Sequence, residues 1–243
     1  MSRIFLCYAL AVDKRAASVS RVSDIVTQLR EAIFENRLPP GAPIRELTVA
    51  REMGVSQATV REALQRLEHA GLVTRKANLG TTVTRLSPKD VRERVDLRAS
   101  LEAMAAEQAS LRMREPDFAK LELRLDELAQ AIRTDRYYEA AQADLEFHRY
   151  VWQCSGNDML CRLLDLVTVP LFAFVSIMRS QGLQKLTAVV AEHGPLVDAL
   201  RSKDAARIRA AFEKGATSFY DPFLGDGGER AAAEAFGFLE VSS

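Results

Sequence analysis

Cysteine is scarce in this chain of 243 residues, which contains Cys7, Cys154 and Cys161 and no other. The number is odd, and no two of them form a C-x-x-C pair. These absences argue against a disulfide framework and against a structural zinc ribbon. They favour a reducing compartment, so we expect a cytoplasmic protein.

Long apolar runs are also lacking near the N-terminus. The run at residues 4–12 spans nine residues, which is too short to cross a bilayer. It resembles the apolar part of a weak signal sequence, and we interpret residues 1–19 as a flexible arm or a misassigned start. We expect no membrane-spanning segment elsewhere and no membrane partner.

A net charge is absent as well, because 33 Lys and Arg residues balance 33 Asp and Glu residues. The balance is not uniform along the chain. Residues 1–86 contain 13 basic and 8 acidic residues, whereas residues 87–243 contain 20 basic and 25 acidic residues. A basic first part and an acidic second part favour contact with nucleic acid through the first part alone.

The segment 55–67 predicts the turn and the second helix of a helix-turn-helix. Its apolar residues recur at i, i+4 and i+7, so one face of the helix packs on a core. Ser56 stands where an N-cap belongs. The polar residues of the first turns lie off that face, and a recognition helix presents such groups to the major groove of DNA. The apolar residues are Val60, Ala63, Leu64 and Leu67, and the polar residues are Gln57, Thr59 and Arg61.

Further elements complete a winged helix over residues 20–86. The predicted elements are helices at 22–34, 45–53 and 57–70 and strands at 72–75 and 81–84. In the second helix, helical spacing predicts that Leu47, Ala50 and Met53 turn inward. A turn between the two strands predicts a hairpin with Gly80 at its tip.

Ser87 and Pro88 mark the start of a second part, because serine caps helices and proline is tolerated in the first turn. From there to residue 223 the apolar residues follow helical spacing, which predicts an all-α bundle over 87–223. The predicted helices are 88–113, 116–133, 137–155, 157–180, 184–202 and 204–220. The tail 224–243 is rich in Gly and Ala and is expected to be disordered.

The fold class that follows is mainly α, with an N-terminal winged helix-turn-helix and a C-terminal all-α bundle. Helical spacing predicts two core stripes in the bundle. They are Leu121, Leu125 and Leu128 on one helix, and Leu160, Leu163, Leu164 and Val167 on another. Arg94, near the boundary, is expected on a solvated face.

The first part resembles the GntR family of bacterial transcription regulators, and the second resembles FCD, the all-helical ligand-binding domain of its FadR subgroup. The first resemblance is carried by residues 38–41, 44–47, 50, 54–56, 60–64, 67 and 71–73. The second is carried by Arg98, Leu101, Glu102, residues 144–148, residues 155–157, Glu192 and His193. Together they cover about residues 20–220.

The resemblance implies a homodimer in which each winged helix binds one half of a short palindromic operator in double-stranded DNA. The implied DNA contacts are Arg45, Ser56, Gln57, Thr59, Arg61 and Gly80, the last at the tip of the wing in the minor groove. Many members carry Arg at the position of Gln57 and Pro at that of Thr59. Because glutamine favours adenine over guanine, the operators of other members are not expected to apply here.

A purely structural role for these residues stays open. Arg61 could pair with a neighbouring acid on the surface of its helix, and Arg45 could form a bridge within the domain. Ser56 and Gln57 could serve only as capping residues.

Asp144 and His148 lie four residues apart and therefore share one face of a helix. That spacing suits two ligands to one metal ion. Members of the family with the metal-binding form of the domain add two further histidines, and by position His193 is the first of these. The second is missing: the chain contains three histidines, the third being His69, and the expected place falls near Lys214 and Gly215.

Three hypotheses follow for this part of the bundle. In the first, Asp144, His148 and His193 bind one divalent ion (zinc, nickel or manganese), and an effector carboxylate binds that ion with Arg98 as a second anchor. In the second, the metal is lost, and the two histidines with Arg98 bind an anionic effector directly. In the third, both histidines are ordinary helix residues with hydrogen bonds inside the bundle.

We expect a sequence-specific DNA-binding transcription regulator, a repressor, controlled by a small organic acid effector; the resemblance also allows a fatty acyl thioester. One alternative is a metal-dependent hydrolase or lyase that uses Asp144, His148 and His193, although no spare acid-base pair stands out. Another is an architectural DNA-binding protein without an effector, which would bind with little sequence preference.

Overall fold

The computed structural model describes residues 21–76, 80–134, 136–180, 187–218 and 220. Within them the chain forms two compact units, one from residues 21–33 and 37–84, the other from 34–36 and from Arg85 onward. The predicted arm 1–19 and the predicted tail 224–243 lie outside the described residues. Those two segments, and the boundary at 86, therefore stay predictions.

The first unit combines short helices with a small sheet. Its elements are α1 (21–34), β1 (Pro43–Ile44), α2 (Glu46–Glu52), α3 (Gln57–His69), β2 (Val73–Lys76) and β3 (Gly80–Val83). The strands are antiparallel in the order β1-β3-β2, with Lys76 opposite Gly80 and Ile44 opposite Thr81. This arrangement confirms the predicted winged helix and adds β1, a two-residue strand at the sheet edge.

The helix-turn-helix core follows the predicted apolar stripe. Val60, Leu64 and Leu67 are fully buried on α3. The prediction for Leu47 is wrong, because its side chain is 66% exposed. Helix α2 has only seven residues and buries Ala50, so a residue in its first turn lies beyond the edge of the core.

The second unit is a bundle of six helices in the described residues. They are α4 (Pro88–Ser110), α5 (Glu115–Arg133), α6 (Tyr137–Cys154), α7 (Asp158–Ser180), α8 (Thr187–Ser202) and α9 (Ala205–Thr217). All six predicted helices are confirmed, with ends shifted by a few residues. Helix α4 packs against α6, α7, α8 and α9 and is therefore the central element of the bundle.

A capping box begins α4 at the predicted place. Ser87 Oγ accepts a hydrogen bond from the Asp90 backbone N–H at 3.1 Å, and the Asp90 carboxylate accepts from the Ser87 N–H at 2.8 Å. Pro88 occupies the first turn, where its missing N–H has no partner to lose. The central helix therefore starts at a residue fixed by local chemistry.

Helix α7 corrects the expectation that no other segment of the chain has the length and apolar composition of a membrane-spanning helix. Its segment Asp158–Met178 has the length and mean hydropathy, 1.9, of a membrane-spanning helix, which sequence analysis did not foresee. However, 72% of that window is buried inside the protein, as in the core helix of a bundle.

The predicted core stripe of α7 is wrong at one position. Leu163, predicted in the core, is 42% exposed, and with Met159 and Leu166 it forms an exposed apolar stripe at i, i+4 and i+7.

A proline interrupts the hydrogen-bond ladder of α7. Pro170 lies inside the helix and cannot donate to the carbonyl of Leu166, four residues earlier. Arg94 on α4 takes over that role, because its Nη1 donates to the Leu166 carbonyl at 2.9 Å. Arg94 is thus a structural residue that joins α4 to α7, and its expected place on a solvated face is wrong.

We expect Ser87→Ala to lower the free energy of unfolding by about 1 kcal/mol, because it removes the acceptor that caps α4. The hydrogen bonds from Ser87 hold the pKa of Asp90 below its ordinary value. A carboxylate with a lowered pKa stabilises the fold above about pH 4 and loses that contribution as the pH falls. The difference in free energy of unfolding between the wild type and Ser87→Ala, measured by urea denaturation, should therefore become smaller below about pH 4.

Ser100→Ala is a matched control, since Ser100 lies in the middle of the same helix and donates only to the Asp96 carbonyl. This variant should unfold like the wild type. A loss of stability as large as that of Ser87→Ala would contradict a specific capping role.

Candidate functional site

The first turns of α3 carry the predicted DNA contacts on an exposed face. Gln57 and Arg61 lie four residues apart on the side of the helix away from the buried stripe. Ser56 is the N-cap: its Oγ accepts from the Thr59 backbone N–H at 3.1 Å and lies 2.7 Å from the Thr59 hydroxyl oxygen. The capping role of Ser56 is therefore confirmed, and contact with DNA stays a prediction.

The other two predicted contacts lie at the starts of neighbouring elements of the same unit. Arg45 is exposed and occupies the N-cap position of α2 with extended backbone. Gly80 is the first residue of β3 and has a φ of 87°, a conformation that favours glycine. The hairpin residues immediately before Gly80 lie outside the described part of the chain.

Glu46 connects two of the predicted contacts, and sequence analysis did not single it out as a site residue. Its Oε2 accepts from Gln57 Nε2 at 3.0 Å and from Arg61 Nη2 at 3.1 Å. The hydrogen bond from Arg61, helped by that from Gln57, outweighs partial burial and lowers the pKa of Glu46. An acidic residue in the first turn of a helix is common, so its sequence position alone carried no signal.

A second cluster lies buried inside the helical unit. Asp144 and His148 project from α6 and His193 from α8, and all three side chains are buried. Asp144 Oδ1 lies 3.0 Å from His193 Nε2 and 3.5 Å from His148 Nε2. One ligand atom from each residue lies within 4.8 Å of the other two. The structure thus brings together the three residues predicted to bind a metal ion.

Helix α4 adds a buried ion pair to this cluster. Arg98 Nε lies 3.2 Å from Glu102 Oε1, and the same oxygen lies 3.2 Å from His148 Nδ1. Arg98 also donates to the hydroxyl of Tyr220 at 3.4 Å, and its guanidinium lies 5.0 Å from the ring centre of Phe172. Arg98 was predicted here, whereas Glu102 was noted only as a family mark. The i, i+4 spacing of the two on one helix was the available signal.

The electrostatics of the cluster stabilise ionised carboxylates in spite of burial. Burial alone would raise the pKa of Asp144, but His193, together with the neighbouring ring of His148, outweighs it and lowers that pKa. Burial also favours protonated Glu102, yet the charge of Arg98 and the ring of His148 lower its pKa to about 2. The pKa of His148 is raised, because Glu102 and Asp144 outweigh the burial of the ring.

Hydrogen-bond chemistry indicates the tautomer of a neutral His148 ring. Arg98 Nη2 lies 3.3 Å from His148 Nε2, and a guanidinium can only donate. His148 Nε2 then carries the lone pair, and Nδ1, which lies 3.2 Å from Glu102 Oε1, carries the proton. A carboxylate that holds the other nitrogen of a ligand histidine is the usual support of a metal-binding ring.

The residues fit a divalent metal ion with three protein ligands. Two imidazoles and one carboxylate suit zinc, nickel or manganese and leave coordination positions open. The fourth ligand was expected near Lys214 and Gly215; Gly215 has no side chain, and an added Cβ there would lie 3.3 Å from Leu196 Cδ2.

Comparisons with known proteins place both units in one family. The model described as "Bacterial regulatory proteins, gntR family" matches residues 21–83, and the FCD domain model matches residues 93–214. A relative from Paenarthrobacter nicotinovorans, "Probable D-xylose utilization operon transcriptional repressor", is 30% identical over 199 residues, which cover 80% of this chain and 84% of that protein.

Two further comparisons bear on function and fold. The gluconate operon transcriptional repressor of Bacillus subtilis (strain 168) is 25% identical over 186 residues, 75% of this chain and 76% of that protein. The solved structure of E. coli McbR/YncC aligns with a TM-score of 0.71 at 20% identity, covering 84% of this chain and 98% of that chain. At this identity the structural likeness shows a shared fold alone.

We expect Arg98→Met to destabilise the protein by about 3–5 kcal/mol, because it leaves the buried Glu102 carboxylate without its cation. The double variant Arg98→Met/Glu102→Gln should recover much of that loss. A neutral amide of the same size removes the buried charge that the loss of Arg98 leaves unpaired. Urea denaturation of the two variants and the wild type measures both effects. If the Arg98→Met variant is as stable as the wild type, Arg98 is not needed to compensate the buried charge of Glu102.

Proposed function

The chain belongs to the GntR family of bacterial transcription regulators and carries an FCD domain. From this premise we propose that it is a repressor controlled by a small carboxylate effector, and that a bound metal ion is needed to bind this effector. It is a DNA-binding transcription regulator. The observation that carries the proposal is the joint presence of an exposed recognition helix and a buried site of two histidines, two carboxylates and one arginine. Two relatives named as operon repressors support repression over activation.

In this proposal the first turns of α3 enter the major groove of DNA. Gln57 and Arg61 contact base edges or phosphates, and Arg45 and Ser56 anchor the backbone. Gly80 lies in the wing that enters the minor groove, where the lack of a side chain permits close approach.

The proposal includes a homodimer on a short palindromic operator, because one helix-turn-helix covers only half of such a site. The exposed apolar stripe of Met159, Leu163 and Leu166 on α7 supports a partner surface on the helical unit. Apolar residues at this spacing lose contact with water when a second copy covers them.

The charges of the buried site favour the metal-dependent hypothesis over direct anion binding. Arg98 contributes one positive charge, and Glu102 and Asp144 contribute one negative charge each. With one divalent ion and neutral histidines the site carries a single net positive charge, which one effector carboxylate neutralises. Without the ion, protonation of one histidine already neutralises the site, and an added anion would then be an uncompensated buried charge.

The roles of the protein side chains follow from this arrangement. Asp144, His148 and His193 would hold the ion, which supplies an electrophilic position for a carboxylate oxygen. Glu102 orients the His148 ring, and the guanidinium of Arg98 offers further donors to the anion. Effector binding changes DNA affinity only if the effector binds the two conformations of the regulator unequally.

We propose a small hydroxy, keto or sugar acid as the effector class, because such acids combine a carboxylate with a second oxygen ligand. The relatives named for xylose and gluconate operons support a link to sugar metabolism. The proteins of this family are regulators rather than enzymes, and we propose that the metal site serves binding rather than turnover. We propose that the protein is located in the cytoplasm, where operators are accessible.

We expect Arg61→Ala to weaken binding to a duplex carrying the promoter of its own operon by about tenfold or more. The measurement is fluorescence anisotropy at fixed salt, with size-exclusion chromatography as a check on oligomeric state. Arg66→Ala is the matched control, since it removes the same charge from a residue that pairs with Glu62 at 2.9 Å. Equal binding by the Arg61→Ala variant and the wild type would count against the proposed DNA face.

We expect about one divalent ion per chain in untagged wild-type protein, and much less in Asp144→Ala, which loses one of three ligands. Elemental analysis after exposure to zinc, nickel and manganese, followed by thermal denaturation with and without metal, measures binding and stabilisation. Glu146→Ala is the control, because Glu146 lies on the same helix and pairs with Arg149 at the surface. Absence of metal from all three proteins would leave direct anion binding by Arg98 and the histidines.

A further inference from the structure

We propose that Glu46 is a positioning residue that sets the base preference of the recognition helix by fixing the amide orientation of Gln57. The inference rests on the proposed DNA face and adds a residue outside α3 to it. It is carried by the two hydrogen bonds that Glu46 Oε2 accepts, from Gln57 at 3.0 Å and from Arg61 at 3.1 Å.

The chemistry of the carboxylate determines which end of the Gln57 amide faces it. An ionised carboxylate can only accept hydrogen bonds, so the amide NH₂ must point toward Glu46 and the amide oxygen must point away. The lowered pKa of Glu46 keeps this group ionised at neutral pH. The usual freedom of a glutamine amide to turn by half a rotation is thereby removed.

Glu46 itself is held in place by its surroundings. It lies in the first turn of α2, which packs against α3, and its side chain is only 20% exposed. Its second oxygen, Oε1, lies 3.9 Å from Arg75 Nη2 on β2. Arg75 also lies 3.8 Å from Glu68 on α3. Cations on two elements therefore fix the carboxylate that orients Gln57.

A fixed amide favours adenine over guanine in the major groove. Adenine offers an acceptor at N7 and a donor at N6, which match the second amide hydrogen and the outward oxygen of Gln57. Guanine offers acceptors at both N7 and O6, so the outward amide oxygen would face another acceptor. Without Glu46, rotation of the amide about χ3 would allow Gln57 to donate to guanine instead.

Arg61 shares the same carboxylate oxygen, and this limits its non-specific contact with DNA. Its side chain is 51% exposed, and its guanidinium keeps further N–H donors for a phosphate or a base. Because Glu46 partly neutralises it, a phosphate must compete with the carboxylate. Removing the charge of Glu46 should therefore raise affinity for DNA of any sequence while base selectivity falls.

The test is a selection of bound duplexes from a randomised library, carried out with the full-length wild type, Glu46→Gln and Gln57→Ala. Glutamine at position 46 has the same size and can accept or donate, so it removes the constraint on the Gln57 amide together with the negative charge beside Arg61. Glu62→Gln is the matched control, because it removes the same charge from α3 but from a residue paired with Arg66. Thermal denaturation of each variant checks that the fold is intact.

We expect the wild type to prefer adenine over guanine by about tenfold at one position in each half-site. Glu46→Gln should lose most of that preference at this position alone and bind random duplexes more tightly, whereas Glu62→Gln should keep the preference. Gln57→Ala should lose the preference as well. The proposal is overturned if Glu46→Gln retains the wild-type preference, or if Gln57→Ala does. The Arg61→Ala binding experiment reports separately on the DNA face, so failure of Glu46 as a positioning residue is distinguishable from failure of the proposed function.

Discussion

The helical unit depends on the burial of opposite charges at one point among three helices. Removing Arg98, Glu102 and Asp144 from water costs several kcal/mol per ion unless each finds partners at hydrogen-bond distance. The distances of 3.2 Å between Glu102 and His148 and of 3.0 Å between Asp144 and His193 require α4, α6 and α8 to keep one mutual register. The contacts that make the site chemically useful are therefore also contacts on which the packing of the bundle depends. A substitution that changes the charge there therefore also affects helix packing.

The recognition face uses the same chemistry under the opposite condition, because its charges lie in water. Glu46 and Arg61 form a pair that solvent and salt weaken, so its value lies in orientation rather than in stability. Such a pair can be exchanged for a phosphate or a base at little cost, which suits a surface that binds and releases DNA. The two carboxylates, Glu46 and Glu102, thus both orient a neighbouring side chain, one of them in water and the other away from it.

Sequence patterns predicted the elements that repeat over several turns and failed where a single contact decides. The six helices of the bundle and the stripe around Leu64 follow from apolar spacing, which many residues determine jointly. The grouping of Asp144, His148 and His193 at one place followed from the spacing of Asp144 and His148 together with a family resemblance. Glu46 and Glu102 were noted only as family marks and not as site residues, because an acid on a helix is ordinary until its distant partners are known. The two-residue strand β1 and the exposed Leu47 depend on tertiary neighbours that no local pattern contains.

The proline in α7 divides that helix into two segments with different surroundings. The segment before Pro170 carries the exposed apolar stripe, and the segment after it contributes Phe172, which lies against Arg98. The first segment is joined to α4 by the side-chain hydrogen bond from Arg94, one turn before Arg98 on α4. Such a bond can break and re-form without opening the backbone ladder. One side chain of α4 therefore supplies the donor that Pro170 lacks, and it does so one turn away from the arginine of the buried site.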